Sequence, residues 1–295
     1  MEQILSISHV SKNYGAIQAL KDVSFNVPEG SVYGVLGPNG SGKTTLLGIV
    51  LDVLRAREGT YQWFEGMAPA DARRQIGSLL ETPNFYHYMS AYDNLEITAG
   101  IKGRGIDDRN RMLEQVGLLP RKDSKFSQFS LGMKQRLAIG AALLGNPKVL
   151  VLDEPTNGLD PAGIAEIREL IRNLNKQGIT IIIASHLLDE IEKVCTHVAI
   201  LKYGTLLLDG PVDDVLRSED QLEVKAADMQ TLQLALDGMT GVNKMRLNDG
   251  ILQFSCDQAV TTTQINEHCI AKGIVLSHLL LKKRSLESKF MELTK

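Results

Sequence analysis

Short apolar runs broken by turn residues open the chain. They predict strands over 4–10, 23–27 and 31–36, with Pro28-Glu29-Gly30 as the turn before the third. A glycine-rich stretch over 37–42 follows. Residues 43–54 then place Leu46, Leu47, Val50, Leu51 and Leu54 on one face, which predicts a helix. A strand is read over 76–80. From Pro83 to about Gly145 the pattern turns helical, with candidates over 95–101, 107–116 and 131–144; Gly145-Asn146-Pro147 stops the last. The run 148–152 is almost wholly apolar, as expected for a strand buried on both faces of a parallel sheet. A helix over 163–177, a second buried strand over 179–184 and a short helix over 187–194 continue the alternation. Strand and helix in turn argue for a layered α/β domain.

Near residue 216 the organisation changes. Strand 221–226, helix 229–236, strands 244–247 and 251–256, helix 263–272 and strand 274–281 give the order β-α-β-β-α-β, a split βαβ arrangement. Asn248-Asp249-Gly250 is a hairpin turn signal between the middle strands. A closing helix is read over 285–293. The expected domains are therefore 1–215, with a helical part at about 83–145, and an α+β accessory domain over 216–295.

Composition narrows the function classes. The 295 residues are 43% hydrophobic and 23% charged, ordinary for a globular protein. A formal net charge of −3 lacks the basic excess that duplex binding favours, so no nucleic acid partner is expected. Cys195, Cys256 and Cys269 fall in no metal-binding spacing and read as reduced thiols. No apolar run approaches the ~20 residues of a membrane span, and no signal peptide is read at the start. The chain is expected in the cytoplasm, reaching a membrane only through a partner.

Gly37-Pro38-Asn39-Gly40-Ser41-Gly42-Lys43-Thr44 fits G-x-x-x-x-G-K-[ST], after a predicted strand and before a predicted helix. The glycines let backbone N–H groups turn inward to phosphates, and the helix start adds its dipole. Lys43 is placed to reach the β- and γ-phosphates, and the Thr44 hydroxyl to ligate Mg²⁺. The run 148–152 ends in Asp153-Glu154-Pro155. Carboxylates at the end of a buried strand need compensation, which Mg²⁺ supplies for Asp153, while Glu154 can polarise an attacking water.

Together with the elements that follow, these residues resemble the ATP-binding subunits of ABC transporters, continuously over the first 215 residues or so. Phe129-Ser130-Leu131-Gly132-Met133-Lys134-Gln135-Arg136 is similar to the signature usually written LSGGQ; Ser130, Gly132, Gln135 and Arg136 match, and Leu131 and Met133 depart. The resemblance implies that Ser130 and Gly132 bind the γ-phosphate held by a second copy of the chain. It likewise implies a seam-crossing loop at Asn157-Gly158-Leu159-Asp160, with Asp160 its key member, and a switch histidine at His186. Tyr14 would stack on adenine, and Thr45 would join the nucleotide-binding set.

Glu81 stands where the family normally has glutamine, a Mg²⁺ ligand. That exchange resembles the exporter branch of bacitracin-resistance and lantibiotic-immunity ATPases. Phe85, Tyr86 and Tyr88 concentrate aromatics next to it, and a groove near 82–96 is implied as the dock for an integral membrane permease. The expectation is a P-loop ATPase of mixed-sheet fold with a ferredoxin-like C-terminal domain. It would be a homodimer that sandwiches ATP and energises export. The alternatives are a soluble ABC ATPase with a non-transport role, which usually carries two cassettes or a coiled-coil insertion, and a nucleotide-sensing module without turnover.

Overall fold

A computed structural model describes residues 2–216, 221–256, 260–282 and 286–294. Two compact units divide the chain, Met1–Val212 and Asp213–Lys295.

In the first unit the strands are β1 (Gln3–Tyr14), β2 (Ile17–Pro28), β3 (Val32–Leu36), β4 (Glu58–Trp63), β5 (Ile76–Leu79), β6 (Val149–Asp153), β7 (Thr180–Ser185), β8 (His197–Lys202) and β9 (Thr205–Pro211). The helices are α1 (Lys43–Val50), α2 (Pro69–Arg74), α3 (Ala91–Lys102), α4 (Arg109–Gln115), α5 (Leu131–Leu143), α6 (Pro161–Lys176) and α7 (Leu188–Glu192), with α8 (Val212–Leu216) at the junction of the units. A six-stranded sheet runs β5-β6-β7-β3-β8-β9, parallel except for β9 at its edge. A three-stranded antiparallel sheet runs β2-β1-β4.

Leu150 through Leu152 and Ile181 through Ile183 are fully buried, which is why β6 and β7 read as unbroken apolar runs. Helices α3 to α5 fill the interval between β5 and β6. Each start is chemically set where it matters. Ser90 and Asp93 form a capping box on α3, the Ser130 hydroxyl accepts from Met133 N at 3.3 Å, and Asp160 Oδ1 accepts from Gly163 N at 2.9 Å.

The helix expected over 43–54 ends at Val50 instead. Asp52 is left-handed (φ 63°), and the N–H groups of Val53 and Leu54 turn back to Gly48 O. Leu51 and Leu54 still pack on the core from this turn, so helical spacing persists where the helix does not. Elements β4, α2, β8 and β9 were not anticipated, and α6 begins at Pro161 rather than 163 because Asp160 caps it.

The second unit comprises β10 (Gln221–Ala226), α9 (Met229–Asp237), β11 (Val242–Asn248), β12 (Ile251–Cys256), α10 (Thr262–Ala271), β13 (Leu276–Lys282) and α11 (Leu286–Thr294). Its sheet order is β11-β12-β10-β13 with every neighbouring pair antiparallel, the strand order of a ferredoxin-like sheet. Asp249 (φ 48°) and Gly250 (φ 72°) form a two-residue hairpin turn with both centres left-handed. Leu222, Val224, Leu232, Leu236, Phe254 and Ile265 build its core. Residue 285 of the expected closing helix lies outside the described residues.

Candidate functional site

The phosphate loop leaves β3 at Leu36 and enters α1 at Lys43. Gly37, Gly40 and Gly42 have φ values of 152°, 79° and 103°. A Cβ on Gly37 would stand 2.2 Å from Leu201 O, and one on Gly42 would stand 2.5 Å from Ala19 O, so neither position has room for a side chain. The loop is braced from two sides: Gly37 N donates to Ser185 O at 3.3 Å, and Gly204 N donates to Ser41 O at 3.0 Å. The second brace comes from the β8–β9 turn. Sequence spacing did not reveal it, because the partners are 163 residues apart by number and touch only through backbone.

Lys43 is 5% exposed. Its ammonium donates to Gly37 O at 2.8 Å and Pro38 O at 3.3 Å, and sits 3.4 Å from Glu154 Oε1. Glu154 follows β6 in a left-handed conformation, φ 48°, and its N–H donates to Ala184 O at 2.9 Å. Its other carboxylate oxygen meets His186 Nδ1 at 2.8 Å. Glu154 thus bridges the phosphate-loop lysine and the histidine after β7. A left-handed glutamate costs about 1 kcal/mol or more, which concentrates strain where the chemistry is expected.

Asp153 is 3% exposed and its Oδ1 has no hydrogen-bond partner. Burial raises its pKa; the Thr44 hydroxyl and Lys43 oppose the rise, while Glu154 and Glu81 add to it. An orphaned, buried carboxylate oxygen beside a threonine hydroxyl fits a hard cation that arrives with phosphates. Among the described residues no group of three or more His, Cys, Asp or Glu is placed to hold a metal ion. Glu81 follows β5, is exposed and left-handed at φ 58°, and acts on Asp153 through its charge.

The other predicted residues differ in exposure and place. Tyr14 is 48% exposed at the β1–β2 turn, with Lys12 Nζ 5.4 Å from its ring centre. Asn39 and Thr44 are exposed, and Thr45 is half-buried in α1. Ser130, Gly132 and Asp160 line a separate cleft of about 400 Å³ that includes none of the phosphate-loop residues. Ser130 and Asp160 each cap a helix start there, so helix N-termini, the carboxylates of Asp160 and Glu166 and the guanidinium of Arg136 share the cleft. A further cavity of about 320 Å³ is lined by Asn84, Phe85, Tyr86, Asn94, Ile97 and Ile101 among others. The aromatics divide there. Phe85 packs on buried Phe126 at 5.2 Å between centroids, whereas Tyr86 and Tyr88 are 51% and 71% exposed. A cavity of about 530 Å³, walled by Leu54, Tyr61, Trp63 and Met67, includes none of the predicted residues.

A protein-family profile described as ABC transporter matches residues 20–157. The bacitracin transport ATP-binding protein BcrA of Bacillus licheniformis is 36% identical over 303 residues, covering 99% of this chain and 98% of that protein. BcrA of Enterococcus faecalis is 33% identical, covering 99% and 97%. The lantibiotic transport ATP-binding protein SrtF of Streptococcus pyogenes is 40% identical over 212 residues, covering 71% of this chain and 92% of that one. Among solved structures, an ATP-binding cassette of an ABC transporter in its ADP conformation matches with a TM-score of 0.67 at 28% identity, covering 74% of this chain and 96% of that chain. A dimeric post-hydrolysis cassette bound to ADP and Pi matches with a TM-score of 0.63 at 27% identity, covering 70% and 98%.

Proposed function

Because this chain belongs to the family of ABC transporter ATP-binding proteins, we propose that it hydrolyses ATP between two copies of itself and so energises a separate membrane permease. The observation that carries this is the bridge from Lys43 through Glu154 to His186. It joins side chains from three different elements that could serve as base, orienting partner and phosphate cation.

The steps follow from what each side chain holds. ATP draws the Lys43 ammonium from the carbonyls of Gly37 and Pro38 to its phosphates. The loop's N–H groups and the α1 dipole bind the same charge. Tyr14 supplies a π-face for adenine. Thr44 and Asp153, with Glu81 beside them, would hold a Mg²⁺ ion, which would supply positive charge against the phosphates. Glu154, no longer occupied by Lys43, accepts a proton from the water whose oxygen bonds to the γ-phosphorus as the bond from that phosphorus to the ADP oxygen breaks, leaving ADP and phosphate. His186 keeps that carboxylate oriented through its 2.8 Å contact. The Ser130 hydroxyl and the N–H groups of the helix start at Gly132 in a second copy close over the same γ-phosphate, while the loop ending in Asp160 crosses the seam beside them.

The dock for the permease is the groove at Asn84, Phe85, Tyr86 and Ile97, rimmed by exposed Tyr86, Tyr88 and Ile101. No helix among the described residues is long and apolar enough to cross a membrane, so contact with a bilayer runs through that partner, at the inner face of the cell membrane. The names of the relatives favour export of peptide antibiotics such as bacitracin or lantibiotics. The test is the Glu154→Gln protein. With ATP it should accumulate as a dimer by light scattering while turnover drops to background. A protein that stays monomeric at saturating ATP overturns the proposal.

A further inference from the structure

The reaction leaves the exposed side chain at the start of α5 unexplained. Leu131 directly follows Ser130, opens α5, departs from the usual signature and stays 47% exposed. It lines the cleft between the two capped helix ends. Its side chain reaches across to the 157–160 loop: a Cβ on Gly158 would stand 3.2 Å from Leu131 Cδ2. Gly158 has a φ of +74°, so glycine there both holds the turn and leaves room for the leucine. Leu159 returns the contact, its Cδ2 lying 3.9 Å from where a Cβ of Gly132 would be. Leucine 131 against glycine 158, and leucine 159 against glycine 132, interlock the ends that Ser130 and Asp160 cap. The polar link between the same helices, Arg136 Nε to Glu166 at 3.5 Å, has a carboxylate 57% exposed and holds them weakly.

We propose that Leu131 is a positioning residue that locks the Ser130-led end of α5 to the 157–160 loop. A second copy's ATP then meets both as one preset surface. The inference rests on the two-copy sandwich. Without the lock, the two ends would have to be ordered during closure, and that entropic cost would weaken the dimer. A glycine at 131 would leave the backbone N–H groups of the helix start intact, so the lock acts on position and not on phosphate binding itself.

The experiment compares Leu131, Leu131→Gly and Leu131→Met in the Glu154→Gln background, following ATP-driven dimerisation by sedimentation. Leu131→Gly should weaken the dimer by about tenfold, with monomer affinity for a fluorescent ATP analogue and the melting temperature unchanged. Leu131→Met, which refills the gap, should restore most of the loss. With Glu154 intact, Leu131→Gly should lower kcat and bring the Hill coefficient for ATP towards one while the nucleotide affinity holds. Undiminished dimerisation of Leu131→Gly overturns the proposal, as does a loss matched by weaker monomer nucleotide binding or one that methionine fails to repair. If the parent Glu154→Gln protein, with Leu131 present, does not dimerise, the sandwich itself is wrong and this proposal falls with it.

Discussion

Replacing Glu154 by glutamine should tighten ATP binding at the same time as it stops hydrolysis. In the structure Lys43 Nζ lies 3.4 Å from Glu154 Oε1, with the two side chains 5% and 21% exposed. At an effective dielectric near 20, Coulomb's law gives that pair about 5 kcal/mol of gross attraction, an upper bound before desolvation. ATP must draw Lys43 out of this pairing and then tolerate a carboxylate beside its γ-phosphate. Glutamine removes the attraction that holds Lys43 back and the repulsion that follows, yet can still hydrogen-bond His186. After desolvation discounts most of the gross figure, about 1–2 kcal/mol remains, or roughly 5–30-fold in affinity. The loss of the base should lower kcat by about 10²–10⁴-fold. The assay is titration of dilute, monomeric protein with a fluorescent ATP analogue without Mg²⁺, so that neither turnover nor dimerisation contributes. Unchanged or weaker binding, in a variant that melts like the wild type, would refute the idea that Glu154 competes with nucleotide for Lys43.

Three further outcomes follow from particular contacts. Gly42→Ala puts a Cβ 2.5 Å from Ala19 O at a φ of +103°, and should lower stability by about 2–3 kcal/mol and abolish nucleotide binding; a melting temperature equal to wild type would contradict the strain. His186→Ala frees the Glu154 carboxylate from its 2.8 Å partner, and should cut kcat about 10²-fold with little change in nucleotide Kd; a parallel loss of Kd in binding titrations would make His186 a binding residue instead. Lys102 donates to Ala141 O, Ala142 O and Leu144 O, and burial, helped by Arg104, pushes its pKa from 10.5 down to about 8. The unfolded chain keeps that proton up to about 10.5 and the folded chain only to about 8, so stability should rise with pH across this window, by up to about 3 kcal/mol relative to Lys102→Met. A constant stability difference between the two proteins from pH 8 to 10.5, in urea melts, would sink it.

The parts of the fold that were legible are those in which local pattern and burial coincide. Strands β6 and β7 announce themselves because both faces are covered, leaving no polar position to break the run. The antiparallel edge strand β4 does not: Glu58 through Thr60 are exposed, and only Trp63 is buried, its indole donating to Val50 O. Strand β8 does carry an apolar signal in its buried 198–201 run, but no motif beside it marks an element. Helix α1 was drawn too long for the opposite reason. Leu51 and Leu54 keep helical spacing while reaching the core from a turn, and periodicity reports which side chains are buried, not what backbone carries them.

For the site, sequence gave residue types but not their resting partners. The phosphate loop and the Asp153-Glu154 pair are contiguous, so their chemistry could be read from spacing. The link that makes them one device is not contiguous. Glu154 reaches both Lys43 and His186 because β3, β6 and β7 are neighbours in the sheet, with Leu36 level with Ser185 and Asp153 level with Ala184. Parallel register therefore delivers three strand ends to one edge, where their loops meet. The left-handed turn at Glu154 then redirects its carboxylate between Lys43 and His186. A one-residue slip of β6 against β7 would carry Asp153 and the turn at Glu154 out of level with Ala184 and so out of reach of Lys43 and His186. Register, fixed by the fully apolar strands behind it, is thus what sets Asp153 beside Thr44 and Glu154 between Lys43 and His186.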